Sequence, residues 1–320
     1  MNLYSKIAIA SIAISTFSCN NEKDTSATSK ITTTTAAITT ANPKKFLFDA
    51  TKAETAGNAD WVLDADSFPQ RFPTPAQSNV TATTTESFWR GALSSWGIAL
   101  AKLGHTVETL PSGTAITYGG TGAQDLKNYD VFVVDEPNIR FTAAEKTAIL
   151  NFVKNGGGLF MISDHTVSDR NNDGWDSPAI WNDLMSTNTV QTNPFGITVT
   201  LNNFSETTSN RLSATTNPIL NGSQGIVTNL KYSAGASMSI NTTANATAQG
   251  LIWRASSSQG TSNIMCATAT FGTGRVVAIG DSSPADDGTG ATGDTLYPGW
   301  TELASHSRLH MNASLWLAKL

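Results

Sequence analysis

The sequence predicts an α/β fold with a mostly parallel sheet, helices on both faces and a β-rich insertion. Short apolar runs, typical of strands that are buried on both faces, alternate along the chain with amphipathic helical segments. Glycines directly follow these helical segments, as expected where a helix ends and the chain turns back. Because a strand, a helix and a second strand in succession usually place the two strands parallel, this alternation predicts a parallel sheet.

The first part of the domain supplies two strands and one helix. The run KFLFDA, which ends at Ala50, predicts the first strand, and the run TVETL predicts the second. Residues 86–103 lie between them and place aromatic and leucine side chains at helical spacing. We expect this helix to stop at Gly104, since glycine is common directly after a helix.

The middle and the end of the chain repeat the pattern. Residues 130–134 predict a third strand. Thr142 and Glu145 have the spacing of a capping box, so they predict the start of a helix that ends in a run of three glycines. The run LFMIS follows as a strand. Much later, GRVVAIG predicts a further strand, and HSRLHMNASLWLAKL predicts a closing amphipathic helix.

Residues 195–270 have a different composition. They are rich in Thr, Ser, Asn and Gly and contain short alternating runs such as GITVTLNN and GLIWRAS. We expect a β-rich insertion or an extension of the sheet within the same domain. The prediction is therefore a single domain over residues 46–320.

The composition excludes some classes of protein. Charged residues make up 14% of the chain and the net charge is −5, so no basic stripe is present to neutralise nucleic-acid phosphates. Two cysteines cannot form a disulfide framework, and no CxxC pair is present. The sequence thus predicts no nucleic-acid partner.

The N-terminus predicts export and membrane anchoring. Lys6 and an apolar run too short to cross a bilayer are typical of a signal peptide over residues 1–18. Cys19 follows small residues, as in a bacterial lipobox, although Thr16 stands where leucine is usual. We therefore expect a lipidated Cys19, a Thr-rich tether over residues 19–45 and a lipoprotein of the bacterial cell envelope, with the cell surface as one location open to it. The alternative is an ordinary secretory signal in which Cys19 is incidental.

Three segments carry a family resemblance: ILNFVKNGGGLFMISDHT, the run FGTGRVVAIG with the acidic turn that follows it, and the terminal NASLWLAKL. Together they resemble the class I glutamine amidotransferase-like superfamily, and its trehalose-utilisation-like, non-amidotransferase branch in particular. The resemblance covers residues 46–165 and 270–320 and implies a flavodoxin-like sheet with a functional turn after the LFMIS strand. That turn carries a cysteine nucleophile in true amidotransferases, whereas here it reads Ser163-Asp164-His165. Glutamine hydrolysis is therefore not expected.

Acidic residues follow four of the predicted strands. They are Asp49, the pair Asp135 and Glu136, Asp164 and Asp281. The carboxyl ends of parallel strands meet at one edge of a sheet, where ligands bind in such folds. We therefore predict a shared site in which His165 is a general base and Asp49, Asp164 and Asp281 bind metal or substrate. The alternative is that each acid only forms a turn or caps a helix.

A calcium loop is the second predicted site. In DRNNDGWD, Asp169, Asn171 and Asp173 alternate as oxygen ligands before a glycine, and Trp175 would offer its carbonyl oxygen. Position 12 of an EF-hand loop is Ile180 here, so a complete EF-hand is excluded, and Asp176 or Asp183 would complete the ligand set. Another divalent metal is possible. The alternative is a polar turn without metal.

Further residues are predicted at the rim of the strand-end site. Asp135, Glu136, His306 and Trp300 are candidates for substrate binding, since His306 lies near the start of the last helix and Trp300 in a polar loop. An exposed tryptophan ring could stack on a sugar face. The acidic, glycine-rich loop of residues 281–294, which includes Asp286, is expected to form a rim over the site.

Two function classes remain open at this point, with an interaction platform as a third. The first is a metal-supported hydrolase of a polar, carbohydrate-like substrate, in which His165 and Asp281 converge beside a pocket. The second is a calcium-stabilised lipoprotein that binds a glycan or another partner without catalysis. The second class predicts an open aromatic groove and buried, ion-paired carboxylates.

Overall fold

The computed structural model describes residues 42–65, 68–294 and 296–320; the predicted signal peptide, Cys19 and nearly all of the tether lie outside them. The strands in these residues are β1 (Lys45–Asp49), β2 (Thr106–Leu110), β3 (Val131–Asp135), β4 (Gly158–Ile162), β5 (Ile197–Val199), β6 (Phe204–Thr208), β7 (Asn221–Gly222), β8 (Gly225–Ile226), β9 (Leu230–Gly235), β10 (Met238–Ile240), β11 (Gln249–Trp253), β12 (Ile264–Phe271) and β13 (Gly274–Ile279). The α-helices are α1 (Ser94–Lys102), α2 (Ala143–Lys154), α3 (Ser177–Ser186), α4 (Gly299–Glu302) and α5 (Ala304–Leu317).

The main sheet has a parallel half and an antiparallel half. Strands β2, β1, β3, β4 and β13 lie side by side in that order, and each pair of neighbours is parallel. Strand β12 pairs antiparallel with β13, and β10, β5 and β11 extend the sheet from there. The predicted α/β fold with a mostly parallel sheet and extra β structure is thus confirmed.

Side chains of the parallel strands alternate between two buried cores, because successive residues of a strand point to opposite faces. In β4, Leu159 and Met161 pack with residues of α2 and α3, whereas Phe160 and Ile162 pack with residues of α1 and α5. Helices therefore cover both faces of the sheet, as predicted. Burial on both faces explains why these strands read as continuous apolar runs in the sequence.

The first helix is shorter than the spacing of apolar residues predicts. Instead of beginning near residue 86, α1 begins at Ser94, and Trp89 has an extended backbone. The chain before α1 runs against an earlier segment, where the Gly91 amide donates to the Leu63 carbonyl oxygen at 3.2 Å. A Cβ atom on Gly91 would lie 2.0 Å from the Val62 carbonyl oxygen, so this close approach requires glycine. Tertiary contact thus overrides the helical pattern.

The capping box is confirmed. The Thr142 hydroxyl accepts from the Glu145 amide, and the Glu145 carboxylate accepts from the Thr142 amide. The β-rich insertion contributes β5, β10, β11 and β12 to the main sheet, while β6 with β9 and β7 with β8 form two small sheets. In the part of the chain described, no helix combines the length and the apolar character that crossing a membrane requires.

Candidate functional site

The strand order places a crevice at the carboxyl ends of β1 and β3. From β1 the chain proceeds to β2 on one side, and β3 and β4 follow on the other side. The order of the strands reverses there, and ligands of open α/β sheets bind outside such a reversal. Asp49 and Asp135 are the last residues of the two strands.

Four acidic residues, Asp135, Glu136, Asp164 and Asp281, form what we call the carboxyl-edge cluster. Their relative exposures lie between 0 and 3%. The charge of Glu136 acts on both Asp135 and Asp164, and so does the charge of Asp281. The structure therefore brings together the predicted acids that follow β3, β4 and β13.

Arg170 is the principal cation of this cluster, and its role is not evident from the sequence. Its Nε lies 2.5 Å from Glu136 Oε1, and its second terminal nitrogen lies 3.4 Å from Asp164 Oδ2. The Ser282 hydroxyl oxygen lies 3.1 Å from Glu136 Oε2 and 3.3 Å from Asp164 Oδ2, so it can donate its one proton to either carboxylate. The Arg170 amide donates to the Asn138 side chain at 3.0 Å, which fixes the loop over the cluster.

Asp135 has no such partner. Both of its carboxyl oxygens are buried and accept no hydrogen bond from the described residues. Burial is the main cause that raises the pKa of Asp135 well above its usual value, and the charges of Glu136 and Asp281 add to it. Desolvation and like charges both disfavour the ionised form, so Asp135 keeps its proton to a higher pH than an exposed aspartate does.

Asp164 and His165 form a carboxylate–imidazole pair at the turn after β4. Asp164 Oδ1 lies 2.8 Å from His165 Nδ1 and also accepts from the His165 amide at 2.6 Å. Burial lowers the pKa of His165, although the charge of Glu136 and the Ala234 carbonyl oxygen oppose this shift. The pKa of Asp164 is instead raised well above its usual value by burial and then by the charges of Glu136 and Asp281.

Asp281 joins the cluster to a small cavity. Its two carboxyl oxygens accept from the amides of Ser233 and Ser283, at 2.5 and 2.8 Å, and burial raises its pKa to about 6. Ser233 and Ser283 also line a cavity of about 80 Å³, together with Tyr297 and His306. The charges of Arg170, Asp164 and Asp281 all act on the Tyr297 hydroxyl, which places this side chain between cavity and cluster.

Asp49 interacts chiefly with a residue that no pattern in the sequence singles out. Glu54, which is fully buried, lies within electrostatic reach of Asp49, and burial raises the pKa of both carboxyl groups. Burial raises the pKa of Asp49 to about 6, and the pKa of Glu54 is raised well above its usual value by burial and then by the charge of Asp49. The nearby Lys52 ammonium pairs with Glu145 at 2.7 Å. The residues around Glu54 give no local sign of this pairing.

The predicted calcium loop is a turn whose carboxylates accept from its own backbone. Asp169 accepts from the amides of Asp173 and Gly174 at 3.0 and 2.7 Å, and Asp173 accepts from the Trp175 amide at 2.9 Å. The Asn171 side-chain oxygen is buried and accepts no hydrogen bond from the described residues. Within residues 42–65, 68–294 and 296–320, no three His, Cys, Asp or Glu side chains are grouped so that they could hold a metal ion.

The two residues proposed to complete the loop have other partners. Asp176 caps α3 by accepting from the Ala179 amide at 2.9 Å, and its other oxygen accepts from the Val167 amide at 2.7 Å. Asp183 lies within α3 and pairs with Lys146 at 2.5 Å. Both carboxylates are therefore already engaged in hydrogen bonds or ion pairs.

The rim residues are more buried than predicted. His306 Nε2 accepts from the Lys231 amide at 3.0 Å and Nδ1 donates to the Gly299 carbonyl oxygen at 2.7 Å, so both ring nitrogens are used. Trp300 is only 7% exposed and contacts the ring of His310, so it offers no open face to a sugar. Asp286 is fully buried and accepts from the amides of Gly288 and Tyr297, which shapes the loop from within.

Comparison with known proteins supports the fold and goes no further. No family model matches the sequence, and no curated protein does. The chain is similar to the N-terminal domain of mmIFT52, with 14% identity and a TM-score of 0.52 over 85% of this chain and 97% of that one. Putative ThuA-like proteins are also similar: one from Bacteroides uniformis (12% identity, TM-score 0.40, 87% and 93% covered) and one from Parabacteroides merdae (11%, 0.41, 87% and 90%). At these identities the similarity concerns the fold alone.

Proposed function

We propose that this protein is a hydrolase that cleaves a polar, carbohydrate-like substrate at the carboxyl edge of the sheet. His165 is the general base, and Asp164 holds it in place. The observation that carries the proposal is the contact of 2.8 Å between Asp164 Oδ1 and His165 Nδ1. When Asp164 is ionised, its carboxylate accepts from Nδ1–H and so fixes both the ring and its tautomer, which leaves the lone pair of Nε2 to accept a proton from water. The raised pKa of Asp164 means that this arrangement forms at a higher pH than it would beside an exposed aspartate.

The pKa shifts agree with this division of roles. The lowered pKa of His165 keeps its imidazole neutral near pH 7, as a base requires. The raised pKa of Asp135 favours its protonated form within the same cluster. Neighbouring groups whose pKa values are shifted in opposite directions are typical of acid–base catalysis.

The cavity beside Asp281 supports a polar substrate. Three hydroxyl-bearing residues, Ser233, Ser283 and Tyr297, line it, and so do Lys231 and Glu302, which form an ion pair. Hydroxyls both donate and accept hydrogen bonds, as recognition of sugar hydroxyls requires. A volume of about 80 Å³ holds several waters or one small polar group, so we propose that it takes part of a larger substrate.

Hydrolysis of a panel of nitrophenyl glycosides tests the proposal. We expect wild-type protein to release nitrophenol from at least one glycoside, and His165→Gln to lower kcat by a factor of about 10² or more. Val167→Ala is the matched control, since Val167 lies in the same loop and is 80% exposed. The same rate in His165→Gln and wild type would contradict the assignment of the base.

Binding without catalysis is the second candidate function, and the ion-paired state of the cluster favours it. Arg170 neutralises Glu136 and contacts Asp164, as expected of a site built to stay charged and buried. Calorimetric titration with the same glycosides separates the two candidates. Heat of binding without any release of nitrophenol supports binding alone.

Export and lipidation at Cys19 belong to the proposal and rest on the sequence. Metabolic labelling with an alkyne analogue of palmitate tests them. We expect the wild-type chain to carry the label in the membrane fraction and Cys19→Ser to lose it. Equal labelling of the two chains would contradict lipidation at Cys19.

A further inference from the structure

The segment 68–80 exposes aromatic side chains at one edge of the main sheet. Phe68 is 80% exposed and Phe72 is 58% exposed. Together with Pro73, Ala76 and Val107, Phe72 lines an apolar groove of about 340 Å³. Singly exposed apolar residues are common, but an exposed ring that lines an apolar groove, with a second exposed ring four residues earlier in the chain, is typical of a surface that binds a partner.

The backbone of this segment is held in place. The Thr109 amide of β2 donates to the Arg71 carbonyl oxygen at 2.9 Å, and the Val107 amide donates to the Gln77 side chain at 3.0 Å. The Trp89 indole donates to the Pro75 carbonyl oxygen at 2.8 Å. These bonds cover the free edge of β2, so a further strand does not explain the exposed rings.

The charge of the segment suits a membrane surface. Residues 68–85 contain one charged side chain, Arg71, and no carboxylate, although the whole chain has a net charge of −5. The Arg71 guanidinium lies 4.7 Å from the Phe72 ring centre and pairs with Glu108. Aromatic residues beside a cation are typical of protein surfaces that lie at the level of lipid headgroups.

The place where the described chain begins also favours a membrane as the partner of this groove. The described chain starts at residue 42, and the Lys44 amide donates to His105 Nδ1 at 3.3 Å, directly before β2. Thr106 and Val107 of β2 line the groove, so the tether enters the domain at the groove's own edge. Between Cys19 and residue 42 the chain spans at most about 80 Å, which keeps this edge close to an anchored lipid.

We infer that Phe68 and Phe72 form a membrane-docking surface that inserts into the headgroup region of a lipid bilayer. This inference rests on the lipidation proposed at Cys19, because the lipid would bring a membrane within reach of this edge. It is independent of the proposed hydrolysis. The anchored lipid raises the local concentration of the bilayer at the patch, so that two rings suffice to hold the domain against it. Docking would present the sheet edge at β2 to the membrane and leave the opposite edge at β5 in water.

A fluorescent probe on the full, exported chain tests the inference. Ser78→Cys is labelled with an environment-sensitive dye, since Ser78 is exposed, lines the groove and leaves both rings in place. Leu201→Cys is the control, since Leu201 is 62% exposed and follows β5 at the opposite edge. Cys266 is fully buried, and the chain without an added cysteine measures background labelling. The membrane is a vesicle of phosphatidylethanolamine and phosphatidylglycerol with brominated acyl chains.

We expect bromine to quench the dye at position 78 by about twofold or more and to leave the dye at position 201 unchanged. Phe68→Ser and Phe72→Ser should each reduce the quenching at position 78. Equal quenching at positions 78 and 201, or none at position 78, overturns the inference, whether or not the chain is lipidated. A blue shift at position 78 without vesicles, together with a doubled mass by light scattering, would show that a second copy covers the patch instead. Lipidation is measured separately by the alkyne label, so failure of the anchor and failure of docking are distinguishable.

Discussion

Single side chains at the carboxyl edge are arranged so that one cation offsets several buried acids. Arg170 is 17% exposed at its side chain, while Glu136 and Asp164 are at most 4% exposed. Removing one partner of a buried ion pair leaves a charge without compensation, and this costs more than the pair contributes. The stability of this edge therefore depends on Arg170 more than on any other cation that contacts the cluster.

We predict that Arg170→Met lowers the free energy of unfolding by about 3–5 kcal/mol, measured by urea denaturation. Glu136→Gln in the same chain should restore part of the loss, because it removes the unpaired charge. Arg140→Met is the control: Arg140 is 48% exposed, and its partner Asp183 keeps Lys146, so we expect a loss of at most about 1 kcal/mol. Equal losses in the two single variants would refute this ranking.

A second prediction at this scale concerns Asp60, whose pKa is raised to about 7 from 3.8, chiefly by burial. The native state then binds a proton more tightly than the unfolded state, so the contribution of Asp60 to stability is present below pH 4 and is lost as pH rises to 7. Asparagine does not titrate, so Asp60→Asn should not lose stability in this way as the pH rises. We expect its stability relative to wild type to grow by on the order of 1 kcal/mol for each pH unit between 4 and 7. Parallel stability curves for the two proteins would count against the raised pKa.

At the level of the elements, the sequence predicted the features that depend only on residues close together in the chain. The capping box at Thr142 and the strands of the parallel half need only neighbouring residues, and both are present in the structure. The start of α1 was predicted too early, because it depends on the close approach of Gly91 to Val62, far along the chain. The same holds for Arg170, since no local pattern shows that its loop folds back onto Glu136.

The loop after β4 remains a predicted calcium site, and its test belongs to this scale. The candidate ligands are Asp169, Asn171, Asp173 and the Trp175 carbonyl oxygen. Among the described residues, the carboxylates of Asp169 and Asp173 have hydrogen-bond partners within the loop only. We expect calcium at about 1 mM to raise the midpoint of thermal unfolding of the wild type but not of Asp173→Ala. Magnesium at the same concentration is the control. A wild-type midpoint that calcium does not change would leave the loop as a polar turn.

For the whole molecule, the sequence located the edge that carries the candidate site but not its internal pairing. Acids after β3, β4 and β13 meet there as predicted, because parallel strands share one carboxyl edge. The roles of Arg170 and Tyr297 depend on loops that cross the edge, and such crossings leave no periodic signal in the sequence. His306 and Trp300 were predicted at the rim, yet packing in α4 and α5 uses their polar atoms or covers their rings.

The measurement that tests the role of His165 most directly is the ¹⁵N NMR spectrum of the four imidazole rings during a pH titration. His165→Gln identifies the signals of His165 by their loss. We predict that His165 is neutral at pH 7, with its proton on Nδ1 beside Asp164 and a bare Nε2, and that it titrates below 6.5. A proton on Nε2, or a titration at or above 6.5, would contradict the role of His165 as the base.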